Sequence, residues 1–68
     1  MDAEKLRQRM REMGISVTRM CHEIGISRKA FWSKCKGLTE FKQSEMAKII
    51  DVLELADGTE IFFPHKVS

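Results

Sequence analysis

Apolar residues recur at helical spacing in four short blocks, which glycines or small polar residues separate. The first block consists of Ala3, Leu6, Met10 and Met13, at steps of three, four and three residues. These steps place the four side chains on one face of a helix. Gly14 follows the block and is typical of the residue that ends a helix. The block therefore predicts a first amphipathic helix.

The second block predicts a helix of barely two turns. Ser16 precedes it and is a candidate N-terminal cap, because serine side chains accept hydrogen bonds from the free N–H groups of a first turn. Gly25 follows and is the expected end of the helix. The shared apolar face consists of Val17, Met20, Cys21 and Ile24.

The third block predicts a helix over about residues 28–36. Ser27 occupies the capping position before it, and Gly37 is the expected end. Phe31 and Cys35 are four residues apart and form the inward-facing pair of this helix.

The fourth block gives the most regular apolar stripe in the chain. It follows a linker at residues 38–42 and consists of Met46, Ile49, Ile50 and Leu53. This spacing predicts an amphipathic fourth helix.

The C-terminal region favours one further turn of helix over residues 58–63. Asp57 and Glu60 are spaced as a capping box, and a proline ends the segment. An edge strand at residues 60–63 is the alternative. We expect the tail, residues 64–68, to be loose.

The fold class that these elements predict is all-α, a compact bundle of four to five short helices. A length of 68 residues leaves room for one domain, residues 1–68. The chain is 43% hydrophobic and 32% charged, which is typical of a soluble globular protein and excludes disorder.

Composition also limits the chemistry. No apolar run approaches the roughly 18 residues of a membrane span, and the N-terminus lacks a signal sequence, so we expect a cytoplasmic protein without a membrane partner. The possible metal ligands are Cys21, His22, Cys35 and His65. They lack the paired spacing of zinc sites, and neither histidine has a catalytic partner. We predict no metal, no cofactor and no enzymatic activity, with both cysteines as small core residues.

Charge is distributed unevenly, although the formal net charge is only +2. Nine basic residues stand against four acidic ones up to Gly37, and three against six afterwards. The first half therefore favours an anionic partner.

The second and third helices are spaced as a helix-turn-helix over about residues 17–37. Such a crossing needs a small residue at the contact, a glycine to reverse the backbone, an apolar plug in the turn and an apolar anchor in the second helix. Those four positions are filled in order by Cys21, Gly25, Ile26 and Phe31.

The motif carries a wider resemblance. Its strongest part is Ile24-Gly25-Ile26-Ser27-Arg28, with Gly14-Ile15-Ser16 before it and Lys36-Gly37 after it. Over about residues 6–63 the chain resembles the Cro and lambda-repressor-like (XRE) helix-turn-helix family, particularly small phage-type regulators. It departs from the family at Val17, where a phosphate-contacting glutamine is frequent, and at Lys34, where an apolar residue is frequent. Cys35 partly compensates for Lys34 by supplying an inward-facing group.

The third helix presents a short basic and polar face on the side opposite its inward pair. At about 100° per residue this face contains Lys29, Ala30, Ser33 and Lys36. Residues near the start of a recognition helix contact base edges in the major groove, so Arg28, Lys29 and Ser33 are the candidate base contacts. A solvated basic face is the alternative. Trp32 falls at the border of the core, and we expect it to cover the core edge. Packing on the sugar-phosphate backbone or on a partner is the alternative.

Five further residues are candidates for contacts to the DNA backbone: Ser16, Arg19, Ser27, Lys36 and Lys42. The two serines can cap helices, bind phosphate or do both. The resemblance places phosphate contacts in the loop that Lys36 and Lys42 flank. The first-helix run Arg7, Arg9 and Arg11 is expected to be mostly solvated.

The predicted function is a transcriptional regulator that binds a double-stranded DNA operator in a bacterial or phage-infected cell, resembling a Cro-like repressor that acts by occupancy. Such proteins usually form homodimers, and Ile61, Phe62 and Phe63 are possible dimer contacts. Closure of the monomer's own core is the alternative role for these three residues. The alternative function is an antirepressor that binds a partner repressor instead of DNA.

Overall fold

The computed structural model describes residues 1–56 and 58–63. Its helices are α1 (Ala3–Met13), α2 (Val17–Ile24), α3 (Arg28–Cys35), α4 (Gln43–Val52) and α5 (Thr59–Phe62). The described ranges contain no strand. The all-α prediction is therefore confirmed, and the alternative of an edge strand at residues 60–63 is wrong because α5 occupies that segment.

The bundle encloses one core to which every helix contributes. The fully buried side chains are Leu6 of α1, Met20 of α2, Phe31 of α3, Ile49 of α4 and Leu53 directly after it. Three edge-to-face ring contacts run through this core: Phe31 with Trp32, Phe31 with Phe41, and Phe41 with Phe62. Phe31 therefore anchors α3 in the core, and Phe41 connects it to Phe62 at the C-terminal end of the bundle.

The short helix α5 closes the bundle against α1. Ile61 and Phe62 are buried, and the Asp2 N–H donates to the Ile61 carbonyl at 2.6 Å. Ile61 and Phe62 thus close the core of the monomer, which was the alternative role expected for them, whereas Phe63 is 54% exposed. The position before α5 is Gly58; Asp57 of the expected capping box and the tail lie outside the described residues.

Arg9 differs from the solvated role expected for it. Its Nε donates to the Leu53 carbonyl at 3.2 Å, and its Nη1 lies 3.5 Å from Glu12 Oε1. Leu53 stands at the C-terminal end of α4, where carbonyls lack helical partners and favour a positive charge. Arg9 therefore joins α1 to the end of α4. Within the described part of the chain, no helix is long and apolar enough to cross a membrane.

Candidate nucleic-acid interface

Two serines begin the two helices of the motif in the same way. Ser16 Oγ accepts a hydrogen bond from the Arg19 N–H at 3.1 Å, and Ser27 Oγ accepts one from the Ala30 N–H at 3.0 Å. Their role as helix caps is confirmed. Both serines are exposed, so capping leaves the two helix starts open to solvent.

The turn between α2 and α3 is built as the sequence predicts. Gly25 has φ 76°, a left-handed conformation that glycine adopts without the steric penalty of a side chain. The N–H groups of Gly25 and Ile26 both donate to the Cys21 carbonyl, at 2.8 and 3.1 Å. Ile26 packs against the core, and Cys21 and Phe31 are buried. The four predicted roles of the helix-turn-helix are therefore filled.

The candidate base contacts lie on the outer side of α3. Arg28 and Lys29 are exposed in its first turn, which contains no acidic residue, and Ser33 is half-buried one turn later. Phe31, between them, is completely buried and fixes which side of the helix faces outward. Of the predicted basic face, Lys29 and Lys36 are exposed and Ala30 and Ser33 are half-buried, while its contact with bases stays a prediction.

The candidate backbone contacts lie at the starts of α2 and α3 and at the ends of the α3–α4 loop. Arg19 is exposed in α2, Lys36 is the C-terminal cap of α3, and Lys42 is the N-terminal cap of α4. The side chains of all three are exposed. Val17 is half-buried and packed against the core, so α2 starts with an apolar residue at the frequent glutamine position.

Lys34 forms an ion pair that the sequence analysis missed. Its Nζ lies 3.2 Å from Glu45 Oε1, and the two side chains are only 11% and 10% exposed. The same Nζ donates to the Glu40 carbonyl at 3.0 Å and lies 5.7 Å from the centre of the Phe41 ring. Cys35 does pack against the core as expected, but Lys34 also turns inward. The available sequence signal was Glu45 at the third position of α4, where a glutamate side chain often accepts the N–H of the capping residue.

Several interactions act on the charge of Glu45. Burial alone would raise the pKa of this carboxyl. Hydrogen bonds from the Lys42 N–H and the Lys34 ammonium, together with the positive charges of both lysines, outweigh burial and hold the pKa below its ordinary value. Glu45 is therefore a carboxylate at neutral pH although it is buried.

Trp32 covers the edge of the core, as predicted. It is half-buried, and the Arg7 guanidinium lies 5.2 Å from its ring centre, a cation–π contact between α1 and α3.

Burial raises the pKa of the neighbouring Cys35 to about 11, against the opposing charge of Arg7. Burial also raises the pKa of Cys21, although the positive charge of Arg28 acts to lower it. Among the described residues, no group of three or more metal-ligating side chains comes together.

Comparison with protein families matches residues 5–58 to the Cro/C1-type HTH DNA-binding domain. The match begins within α1 and ends directly before α5. The chain belongs to the Cro/C1-type helix-turn-helix family. No characterised protein and no solved structure matches it significantly. Membership identifies a DNA-binding domain of the kind found in transcriptional regulators, a family that is typically not enzymatic.

Proposed function

We propose that this Cro/C1-type protein represses transcription by occupying a specific operator, with α3 in the major groove. The observation that carries the proposal is the first turn of α3, where Arg28 and Lys29 are both exposed and no acidic residue balances them. Two cations at a helix start oppose the helix dipole, at about 0.3–1 kcal/mol each. Stability does not favour this arrangement, but binding of an anionic partner does.

Base recognition is assigned to Arg28, Lys29 and Ser33. Arginine and lysine donate to guanine O6 and N7, the commonest specific contact in the major groove. Ser33 lies one helical turn after Lys29 and, with a hydroxyl that donates and accepts, can contact several bases. Phe31 supports the assignment because its complete burial holds α3 in one orientation.

Backbone binding is assigned to the five residues Ser16, Arg19, Ser27, Lys36 and Lys42. The serines stand at helix starts, where N–H groups and the helix dipole favour a phosphate. The three cations are exposed and reach the backbone from the start of α2 and from both ends of the α3–α4 loop. These contacts set the orientation on the duplex and the salt dependence of binding.

Dimerisation through the C-terminal end completes the proposal. Phe63 is a large exposed apolar residue, and beside it lies a groove of about 360 Å³ whose apolar lining includes Met1, Phe41, Met46 and Phe62. A two-fold dimer would use this surface twice and present two α3 helices to two half-sites. Such a repressor acts in the bacterial cytoplasm, where its operator lies.

Selection of bound sequences from a random duplex library tests the function. We expect a palindromic site with half-sites about 34 Å apart, the spacing of one helical turn. Enrichment of a single unrepeated site would contradict the dimer. No enrichment, together with binding that does not weaken as salt increases, would contradict DNA binding altogether.

The antirepressor alternative is favoured by one observation, the half-buried Val17 at the start of α2. An apolar residue there removes a frequent phosphate contact, which lowers the affinity expected for DNA. Affinity for a co-expressed repressor that exceeds affinity for every duplex, and that varies little with salt, would favour this function.

A further inference from the structure

We propose that Lys34 and Glu45 are positioning residues for DNA binding: their buried ion pair fixes the loop between α3 and α4 without contacting DNA. The inference rests on the proposed function, because the loop matters through the two backbone-contacting lysines at its ends. The ion pair links the recognition helix α3 to the loop whose end residues are the candidate backbone contacts.

One carboxylate oxygen joins the two ends of the loop. Glu45 Oε1 accepts from the Lys42 N–H at 2.8 Å and lies 3.2 Å from the Lys34 ammonium. Lys42 is the last residue of the loop, and Lys34 stands in the last turn of α3, two residues before Lys36. Glu45 therefore connects the backbone N–H of one candidate phosphate contact, Lys42, to the helical turn that precedes the other, Lys36.

The ammonium group also holds the loop from within. Lys34 Nζ donates to the Glu40 carbonyl at 3.0 Å and lies over the ring of Phe41 at 5.7 Å. Phe41 is buried and contacts Phe31 of α3 edge to face. The second half of the loop is thus attached to α3 by a charge-assisted hydrogen bond and by a ring contact.

Stability alone does not account for the pair. Two ions removed from water lose much of their hydration energy, and well-packed apolar residues often replace such pairs with no loss of stability. An apolar residue at position 34 would complete the core more simply. What the pair adds is a fixed geometry, because hydrogen bonds are directional and apolar contacts are not. With both groups about nine-tenths buried and paired, Lys34 is not itself exposed for phosphate binding.

The test compares the double variant Lys34→Met/Glu45→Gln with wild type. The double variant has no buried charge, and the introduced glutamine side chain keeps an oxygen for the Lys42 N–H. We expect an unfolding temperature close to that of wild type. Affinity should fall about two- to tenfold on every duplex, the cost of ordering one or two side chains at an interface. Base preference and the dependence of affinity on salt should not change, because no phosphate contact is lost.

Lys36→Ala is the matched control, since removal of a true phosphate contact should lower the salt slope by about one. A lower slope in the double variant would make Lys34 a direct contact and overturn the proposal. Wild-type affinity in the double variant would also overturn it and leave the pair a purely structural role.

Amide hydrogen exchange tests the loop without DNA in the same double variant, which leaves no unpaired buried charge. The double variant should speed the exchange of residues 37–41 and leave the amides of α1 unchanged. Unchanged exchange in the loop would contradict the positioning role. Failure of the wild-type protein to bind any duplex would instead contradict the proposed function, while the exchange experiment would still decide whether the pair orders the loop.

Discussion

Arg28 and Lys29 are predicted to contact bases, and their substitution should change specificity as well as affinity. We expect Arg28→Ala or Lys29→Ala to weaken binding to the preferred site by about 1–3 kcal/mol and to relax the preference at particular base pairs. The reason is that a guanine edge differs from an adenine edge at O6. Titration against a panel of single-base variants of the site measures both effects.

The controls for this prediction are Lys36→Ala and Lys42→Ala. Every phosphate presents the same oxygens, so these variants should weaken all duplexes alike and each lower the salt slope by about one. Lys48→Ala, exposed on α4 and outside the proposed interface, should leave base preference unchanged. If Arg28 and Lys29 variants also weaken all duplexes alike, α3 binds without sequence recognition.

Cys35 should make the protein sensitive to alkali. Burial raises its pKa to about 11 from an ordinary 9.0, so the folded state favours the protonated thiol. The stability that this thiol contributes is complete below about pH 9 and is lost as pH rises towards 11. Thermal unfolding between pH 8 and 11 should show a steeper loss for wild type than for Cys35→Ala. Parallel pH profiles would contradict the raised pKa.

The helix α5 packs closely against Gly58, the residue before it, because a glycine leaves space for the side chains of Ile50 and Phe62. A Cβ at Gly58 would lie 2.7 Å from Phe62 Cδ2 and 2.8 Å from Ile50 Cδ1. Gly58→Ala should therefore destabilise the fold by about 1–3 kcal/mol, the usual cost of overpacking. Urea denaturation measures the loss.

Ser44→Ala is the comparison for Gly58→Ala, because Ser44 is exposed in α4 and alanine favours helix. We expect this variant to keep or slightly exceed wild-type stability. Equal stability of the two alanine variants would show that Ile50 and Phe62 move aside freely, which contradicts tight packing of α5.

Helix limits were predictable because the signals are local. Ser16 and Ser27 cap helices through an N–H three residues away, and Gly14 and Gly25 end helices through a backbone conformation that glycine favours. The inward direction of α3 followed from Phe31 and Cys35, which are four residues apart. In each of these cases the interacting groups are a few residues apart, so the chain itself specifies them.

Contacts between distant parts of the chain were not predictable in the same way. Arg9 donates to a carbonyl 44 residues later, and Lys34 pairs with Glu45 across a loop. Periodicity shows which face of a helix is apolar but not which partner it meets. A lysine at an apolar position weakens the pattern of α3, and the glutamate at the third position of α4 signals a helix cap but not its pairing with Lys34.

For the whole molecule, size is compatible with a dimer on one operator. The described residues measure 34 × 26 × 20 Å, and half-sites one turn apart are about 34 Å from centre to centre. Two copies side by side therefore span the two half-sites without an intervening domain. The interface must leave the start of α3, with Arg28 and Lys29, free to meet DNA, and the proposed groove beside Phe63 is lined by α3 only at Lys34 in its last turn.

Phe63→Ser should convert the proposed dimer to a monomer without unfolding it. Phe63 is 54% exposed, so a two-fold interface that covers both rings gains for each about half of the roughly 1.5–3 kcal/mol that full burial of such a side chain contributes. The polar variant loses this gain, while the folded monomer loses little. Sedimentation should show half the wild-type mass, and affinity for a palindromic site should fall while affinity for a half-site is retained. Leu38→Ser changes a large exposed apolar side chain that does not line the groove, and this variant should keep the wild-type mass. Phe62→Ser should instead lower the unfolding temperature, because Phe62 is only 8% exposed. A wild-type mass for Phe63→Ser, or a monomeric wild type that still binds a palindrome cooperatively, would place the dimer contact elsewhere.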